Sequence, residues 1–151
     1  MITVLFGQPH SGKSTIANEL INRGILNSPV NIDGDKLREL FKNKDFSREG
    51  RMKNLNRASD IAVFLNSSGN DVVLSLLYPY REARDYLNSL CNDINWIYLT
   101  YNGTRGRESF HATDFEIPSS NEALSINTSE FTLDECVNII KNKINNGKIS
   151  S

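Results

Sequence analysis

The sequence has little of what metal-binding, secreted or membrane proteins need. Its two cysteines, Cys91 and Cys136, and its two histidines show none of the spacings that hold a structural metal. Isolated cysteines are typical of a reducing compartment, and we expect both to act as small apolar core residues. No apolar run approaches the length of a membrane-spanning helix. An apolar strand begins directly after Met1, with no room for a signal or transit peptide, so a cytoplasmic protein without membrane contact is expected.

An excess of positive charge is also missing. The 17 basic and 18 acidic residues give a formal net charge of -1, so long polyanions such as nucleic acids are weak candidates as partners. At 151 residues the chain suits a single domain over residues 1–151, which can bury about two-thirds of its unfolded surface without disulfides. We therefore expect one domain that acts on a small molecule. The pattern leaves the oligomeric state open, a homodimer included.

The strongest motif that is present follows the first apolar run. The segment GQPHSGKST, from Gly7 to Thr15, matches the phosphate-binding loop pattern G-x-x-x-x-G-K-[ST] between a predicted strand and a predicted helix. Its glycines let backbone N–H groups and the helix N-terminus converge on a phosphate. Lys13 is expected to reach the β- and γ-phosphates of ATP and to be catalytic, and Ser14 to bind Mg²⁺. The predicted ATP-binding residues are Gly7, His10, Ser11, Gly12, Lys13, Ser14 and Thr15, with an outward-pointing loop side chain as the alternative for His10.

Strands alternate with helical patterns along the chain. Strands are predicted at residues 2–6, 29–32, 71–77, 94–101 and 124–127. Ser47 can cap a long helix, and Thr132 with Glu135 forms a capping box for the last one. The pattern predicts a doubly wound α/β domain, in which a parallel sheet of about five strands carries helices on both faces. Ligands of such domains lie at the carboxyl ends of the strands.

Two carboxylates, Asp33 and Asp35, follow the second strand. They are expected at the carboxyl edge of the sheet, where the γ-phosphate of ATP points. An aspartate there can accept the proton of an acceptor hydroxyl or hold that hydroxyl in line, which makes both residues catalytic candidates. The alternative is a turn and a helix cap, with Asp35 as the N-cap.

Three later segments resemble the adenylylsulfate kinase family in order and spacing. They are DGDKLR at residues 33–38, FSREGRMKNLNR at residues 46–57 and SLLYPYREAR at residues 75–84. The family reads D-G-D-N-x-R, F-S-x-x-D-R-x-E-N-x-R-R and S-x-I-S-P-Y-R-x-x-R at these places, and residues 110–118 resemble a shortened F-T-G-I-D-D-P-Y-E-x-P. The resemblance implies a P-loop kinase that transfers the γ-phosphoryl group of ATP to the 3′-hydroxyl of adenosine 5′-phosphosulfate, giving 3′-phosphoadenosine 5′-phosphosulfate.

The resemblance also implies a role for each matching residue. Two carboxylates would position or deprotonate the 3′-hydroxyl, two arginines and an asparagine would hold the phosphosulfate, and two phenylalanines would stack on the adenine. The carboxylates are Asp33 and Asp35, the arginines are Arg38 and Arg51, the asparagine is Asn54, and the phenylalanines are Phe46 and Phe110. Leu77 and Tyr78 complete the implied substrate-binding set. For any single arginine, a solvated helix face is the alternative.

The chain also departs from the family pattern. Lys36 replaces an asparagine, Gly50 replaces the acidic residue before Arg51, and Tyr78 would place a bulky phenol where the family has a small hydroxyl near the substrate. The family's basic lid is reduced to about residues 101–118. In this segment, Arg105 and Arg107 would either supply positive charge that holds the phosphates or be exposed loop residues.

These departures leave three functions to compare. The first is an adenylylsulfate kinase, and the second is a P-loop kinase acting on another nucleotide or on a small hydroxylated metabolite. The third is an ATP-binding regulatory module without rapid transfer. Because a pure binding module has no need of an acceptor site, the retained Phe46, Arg51 and Asp35 count against it.

Overall fold

The computed structural model describes residues 1–102 and 112–150, with side chains through residue 147. The strands of this part of the chain are β1 (Ile2–Phe6), β2 (Val30–Asp33), β3 (Val72–Leu76), β4 (Ile94–Thr100) and β5 (Leu124–Asn127). The helices are α1 (Lys13–Asn22), α2 (Gly34–Leu40), α3 (Arg48–Ser67), α4 (Arg81–Leu90) and α5 (Leu133–Ser150). The strands form one five-stranded sheet in the order β2-β3-β1-β4-β5, and every pairing is parallel. The predicted doubly wound α/β domain is confirmed.

The sheet is covered on both faces. Helices α2, α3 and α4 pack on one face through residues such as Leu37, Leu55 and Leu87, and α1 and α5 pack on the other through Ile16 and Ile140. Every residue of β1 and β3 is buried as a result. This explains why these strands are mainly apolar at consecutive positions rather than at alternate ones.

The helix ends follow the sequence signals. The Ser47 hydroxyl accepts a hydrogen bond from the Gly50 N–H at 3.3 Å and caps α3. At α5, the Thr132 N–H donates to the Glu135 carboxylate at 3.0 Å, and the Glu135 N–H donates to the Thr132 hydroxyl at 3.1 Å. Both predicted N-terminal caps are confirmed.

Of the two cysteines expected in the core, one is fully buried. Cys136 is a buried core residue, whereas Cys91 is only half-buried at the edge of the core. Among the described residues, no group of histidine, cysteine, aspartate and glutamate side chains is suited to hold a metal by itself. The described helices include none that is both long and apolar enough to cross a membrane.

One buried charge was not predicted. Arg84 of α4 is 4% exposed, and its guanidinium donates to the carbonyls of Tyr78 at 2.7 Å and Glu116 at 2.8 Å. Burial lowers the pKa of Arg84 below its usual value. The Glu116 N–H also donates to the Pro79 carbonyl at 2.7 Å. Arg84 therefore joins the turn after β3 to the segment that returns toward β5.

Substituting Arg84 with methionine is expected to lower the free energy of unfolding by about 3 kcal/mol, because two buried carbonyls lose a charged donor and each such bond contributes roughly 1.5–3 kcal/mol. For a domain of this size the melting temperature should fall by about 6–12 °C, measured by thermal unfolding. The matched control is Arg81→Met in the same helix, since Arg81 is exposed and pairs with Glu122 at 3.0 Å. That control should lose about 1 kcal/mol or less. Equal losses in the two variants would contradict a structural role for Arg84.

Candidate active site

The phosphate loop connects β1 to α1 at the carboxyl edge of the sheet. Gly7 has φ 148° and Gly12 has φ 104°, values that side-chain-bearing residues rarely adopt. A Cβ atom added to Gly7 would also overlap the Leu99 carbonyl oxygen on β4. The Thr128 hydroxyl lies 2.9 Å from the Ser11 carbonyl and 2.9 Å from the Thr100 carbonyl, so the loop is braced by the end of β5.

The Lys13 ammonium group lies inside this loop. Its Nζ donates to the carbonyls of Gly7 at 3.0 Å and Gln8 at 2.8 Å, and it lies 3.5 Å from the Ser11 hydroxyl. A positive charge is thereby held beside the backbone that is expected to cradle phosphates. His10, with φ 64°, is exposed and contributes to the cavity wall described below.

Asp33 connects the phosphate-loop end of the site to α2. Its Oδ1 accepts from the N–H groups of Asp35 at 2.9 Å and Lys36 at 3.3 Å, so Asp33 is the N-cap of α2. The alternative that made Asp35 the cap is therefore wrong. The Oδ2 atom of Asp33 lies 3.4 Å from the Ser14 hydroxyl. A hydroxyl and a carboxylate oxygen this close fit Mg²⁺, which prefers oxygen ligands and takes few of them from the protein when phosphates supply others.

A cavity of about 310 Å³ extends from the phosphate loop to the α2–α3 region. The predicted residues in its wall are His10, Gly12, Lys13, Ser14, Thr15, Asp33, Asp35, Arg38, Phe46, Arg51, Asn54 and Leu77. Residues that the sequence reasoning missed are Pro9, Gly34, Leu55, Ser75, Leu76 and Pro79. Each missed residue lies within or beside a predicted motif, so its position in the sequence near that motif could have indicated its place in the wall. Because Asp33 caps α2, Asp35 stands in the first turn of that helix and on the cavity wall.

Two arginines and a phenylalanine form the end of the cavity away from the phosphate loop. The Arg38 guanidinium carbon lies 4.4 Å from the centroid of the Phe46 ring, and Arg38 Nη1 donates to the Asp45 carbonyl at 3.1 Å. Desolvation and the nearby Arg51 charge lower the pKa of Arg38. Arg51 Nε donates to the Phe46 carbonyl at 2.9 Å. Arg38 thus supports the Phe46 loop while it lines the cavity.

Two polar atoms at this end lack a hydrogen-bond partner in the described part of the chain. Arg51 Nη1 and Asn54 Oδ1 are both buried without a hydrogen-bond partner there. A buried polar atom that stays unpaired costs about 1–3 kcal/mol, more if it is charged. Since both residues line the cavity, a ligand with anionic and donor groups would satisfy them.

Tyr78 does not lie where the sequence predicted. Its side chain is fully buried, its hydroxyl lies 2.8 Å from the Ser59 hydroxyl, and its ring packs edge-on against Trp96 at 5.5 Å. Burial raises the pKa of the Tyr78 hydroxyl far above its usual value. Tyr78 lies two residues beyond the end of β3, and its φ of 43° turns this side chain into the core. The prediction that its phenol lies near the substrate is wrong, and the neighbouring residues Leu77 and Pro79 line the cavity instead.

Three predicted residues lie outside the described part of the chain. They are Phe110, Arg105 and Arg107. Their roles at the acceptor and in the reduced lid remain predictions from the resemblance.

Comparison with known proteins places this site in a family. The family model described as adenylylsulphate kinase matches residues 1–106. Adenylyl-sulfate kinase 3 of Arabidopsis thaliana is 36% identical over 101 residues, which are 64% of this chain and 48% of that protein. The adenylyl-sulfate kinase of Bacillus velezensis is 35% identical over 102 residues, covering 63% and 51%. The chain spans about half the length of these curated relatives.

Solved structures agree with the family match. A structure of the APS kinase of Mycobacterium tuberculosis is 25% identical, with a TM-score of 0.72 over 93% of this chain and 94% of that one. A second structure of that enzyme, in complex with AMPPNP and APS, has a TM-score of 0.78 at 21% identity and covers 93% and 95%. The match across residues 1–106, the shared fold and the phosphate loop lead to one conclusion: the chain belongs to the adenylylsulfate kinase family of P-loop kinases.

Proposed function

We propose that residues 1–151 act as one kinase domain that transfers the γ-phosphoryl group of ATP to the 3′-hydroxyl of adenosine 5′-phosphosulfate. The observation that carries the proposal is a single cavity whose wall holds Lys13 and Ser14 together with Phe46 and Arg51. A phosphate-binding end and an aromatic, cationic end in one cavity suit a transfer between two nucleotides. Family membership supports this assignment, as does a structural neighbour solved with AMPPNP and APS.

At the donor end, the loop backbone and the Lys13 ammonium group would bind the ATP phosphates. The Ser14 hydroxyl and Asp33 Oδ2, 3.4 Å apart, would hold Mg²⁺ directly or through water. When bound, the ion neutralises charge on the phosphates during transfer. Asp33 also caps α2, so this carboxylate fixes the start of the helix that carries Asp35.

At the acceptor end, Asp35 would accept the proton of the 3′-hydroxyl or orient that hydroxyl toward the γ-phosphate. Arg51 Nη1 would donate to an oxyanion of the phosphosulfate, which would pair a buried nitrogen that has no hydrogen-bond partner among the described residues. The Phe46 ring would stack on the adenine, while Arg38 packs against that ring and holds its loop.

Arg51→Ala is expected to lower kcat/KM for adenosine 5′-phosphosulfate by roughly ten- to a hundredfold, because a charge-assisted pair contributes about 1.5–3 kcal/mol. Initial rates over a series of acceptor concentrations would measure this loss, and calorimetry with Mg-ATP alone should show little change. Lys53→Ala is the control, since Lys53 is exposed on the same helix and pairs with Glu49. A similar loss in ATP affinity would argue against an acceptor role for Arg51.

The proposed function is tested by mixing the protein with Mg-ATP and adenosine 5′-phosphosulfate and detecting the 3′-phosphorylated product by mass. A parallel panel of nucleotides and small hydroxylated metabolites is incubated with radiolabelled ATP. Efficient labelling of another compound, without 3′-phosphoadenosine 5′-phosphosulfate, would favour a P-loop kinase that acts on another nucleotide or on a small hydroxylated metabolite. Lys36 and the short 101–118 segment already point to that alternative. Nucleotide binding without any labelled product would favour a regulatory module.

A further inference from the structure

Residues 43–46, the 43–46 loop, belong to the connection between α2 and α3 and lie directly against the first turn of α3 at Gly50. A Cβ atom at Gly50 would come within 3.0 Å of the Asp45 carbonyl oxygen and of the Asp45 side chain, separations that real Cβ atoms essentially never show. Asn43 Nδ2 also donates to the Gly50 carbonyl at 2.9 Å. The backbone of the loop therefore occupies the space that a side chain at position 50 would need.

This loop is joined into one hydrogen-bonded unit. Asn43 Oδ1 accepts from the Asp45 N–H at 3.0 Å and from Arg38 Nη1 at 3.2 Å. The same Arg38 nitrogen donates to the Asp45 carbonyl at 3.1 Å, and Asp45 Oδ1 accepts from the Ser47 N–H at 2.9 Å. A shift of the Asp45 backbone must therefore move or break several bonds at once.

The unit also sets the position of the acceptor side chains. Phe46 follows Asp45 directly, its carbonyl accepts from Arg51 Nε at 2.9 Å, and its ring contacts the Arg38 guanidinium. Phe46, Arg38 and Arg51 all line the cavity. The contact between Gly50 and Asp45 is thus linked to the cavity wall through one residue.

We propose that Gly50 is a positioning residue for acceptor specificity, a role that rests on the proposed function. Because position 50 has no side chain, the 43–46 loop packs onto α3 and holds Phe46 and Arg38 at the acceptor end. The family pattern that this chain resembles has an acidic residue where this chain has Gly50. A side chain at position 50 would lift the loop and misplace both residues.

The test is Gly50→Ala, which adds the one atom that overlaps Asp45. We expect KM and Kd for adenosine 5′-phosphosulfate to rise about tenfold or more, since small misplacements of binding groups are costly. The Kd for Mg-ATP and the kcat at saturating acceptor should stay within about twofold. Trypsin should also cleave faster after Lys42 and Lys44, which flank or lie in the loop. The melting temperature should fall only modestly, because the better helix propensity of alanine offsets part of the hydrogen bonds lost in the loop.

The matched control is Gly147→Ala in α5, where an added Cβ would meet Asn95 Oδ1 no closer than 3.9 Å. This control should leave every one of these readouts unchanged. Unchanged trypsin cleavage in Gly50→Ala would overturn the inference, as would faster cleavage with unchanged acceptor affinity. Failure of the parent protein to use adenosine 5′-phosphosulfate would instead overturn the proposed function. The same comparison would then be made with the acceptor that the panel identifies, where unchanged affinity again overturns the inference.

Discussion

Lys13→Ala is expected to abolish phosphoryl transfer. We expect kcat to fall on the order of 10³-fold, because removing one preorganised hydrogen-bond donor from the charge that develops in the transition state commonly lowers kcat 10²–10³-fold. Lys13 would contact the β- and γ-phosphates of ATP directly, so this substitution has the largest effect that we expect at the site. The loss is measured as product formed per unit time with Mg-ATP and adenosine 5′-phosphosulfate both saturating.

Folding must be measured in the same variant. Lys13 Nζ donates to the carbonyls of Gly7 and Gln8, so its loss removes two bonds inside the loop. Circular dichroism and the melting temperature would show whether the domain is intact. Lys141→Ala, at an exposed position of α5, is the control and should retain full activity. If Lys13→Ala binds and turns over ATP like the parent, the assignment of residues 7–15 as a phosphate loop is wrong.

Asp35→Asn is expected to lower kcat by roughly 10²-fold or more while the melting temperature and the Kd for ATP remain nearly unchanged. The amide keeps the size of the side chain but cannot accept a proton from the acceptor hydroxyl. Stability should be retained because Asp33, rather than Asp35, caps α2. Rates at saturating substrates would measure the first effect, and thermal unfolding the second.

Two variants on the same segment separate catalysis from helix stability. Glu39→Gln removes an exposed carboxylate further along α2 and should change neither quantity. Asp33→Ala removes the cap and should cost about 1 kcal/mol of stability. A loss of stability in Asp35→Asn with full specific activity would return Asp35 to a structural role.

Local sequence signals determined the elements and the backbone of the loop between β1 and α1. Strand β5 begins and ends at the predicted residues, 124 and 127, and both predicted N-terminal caps form. The phosphate loop was predictable for the same reason. Its geometry depends on consecutive residues, with glycine required at φ values that other residues rarely adopt. Periodicity and short-range capping are carried by neighbours in the chain, so the sequence alone contains them.

Long-range packing decided the rest. The family resemblance placed Tyr78 near the substrate, but its positive φ just beyond β3 turns the ring onto Trp96 and Ser59. It gave Arg84 no core position, because a charge is buried only where distant carbonyls accept its bonds, here those of Tyr78 and Glu116.

The effect of Gly50 likewise depends on tertiary structure. The sequence shows a glycine where an acidic residue was expected, but only the fold brings the Asp45 backbone against it. Three features depend on residues that are distant in the sequence and close in the fold. They are the direction of a side chain near a strand end, the pairing of buried polar groups and the space left beside a glycine. Residue types and spacing therefore determined which chemistry this chain carries, while the packing of distant segments decided which side chains face the cavity.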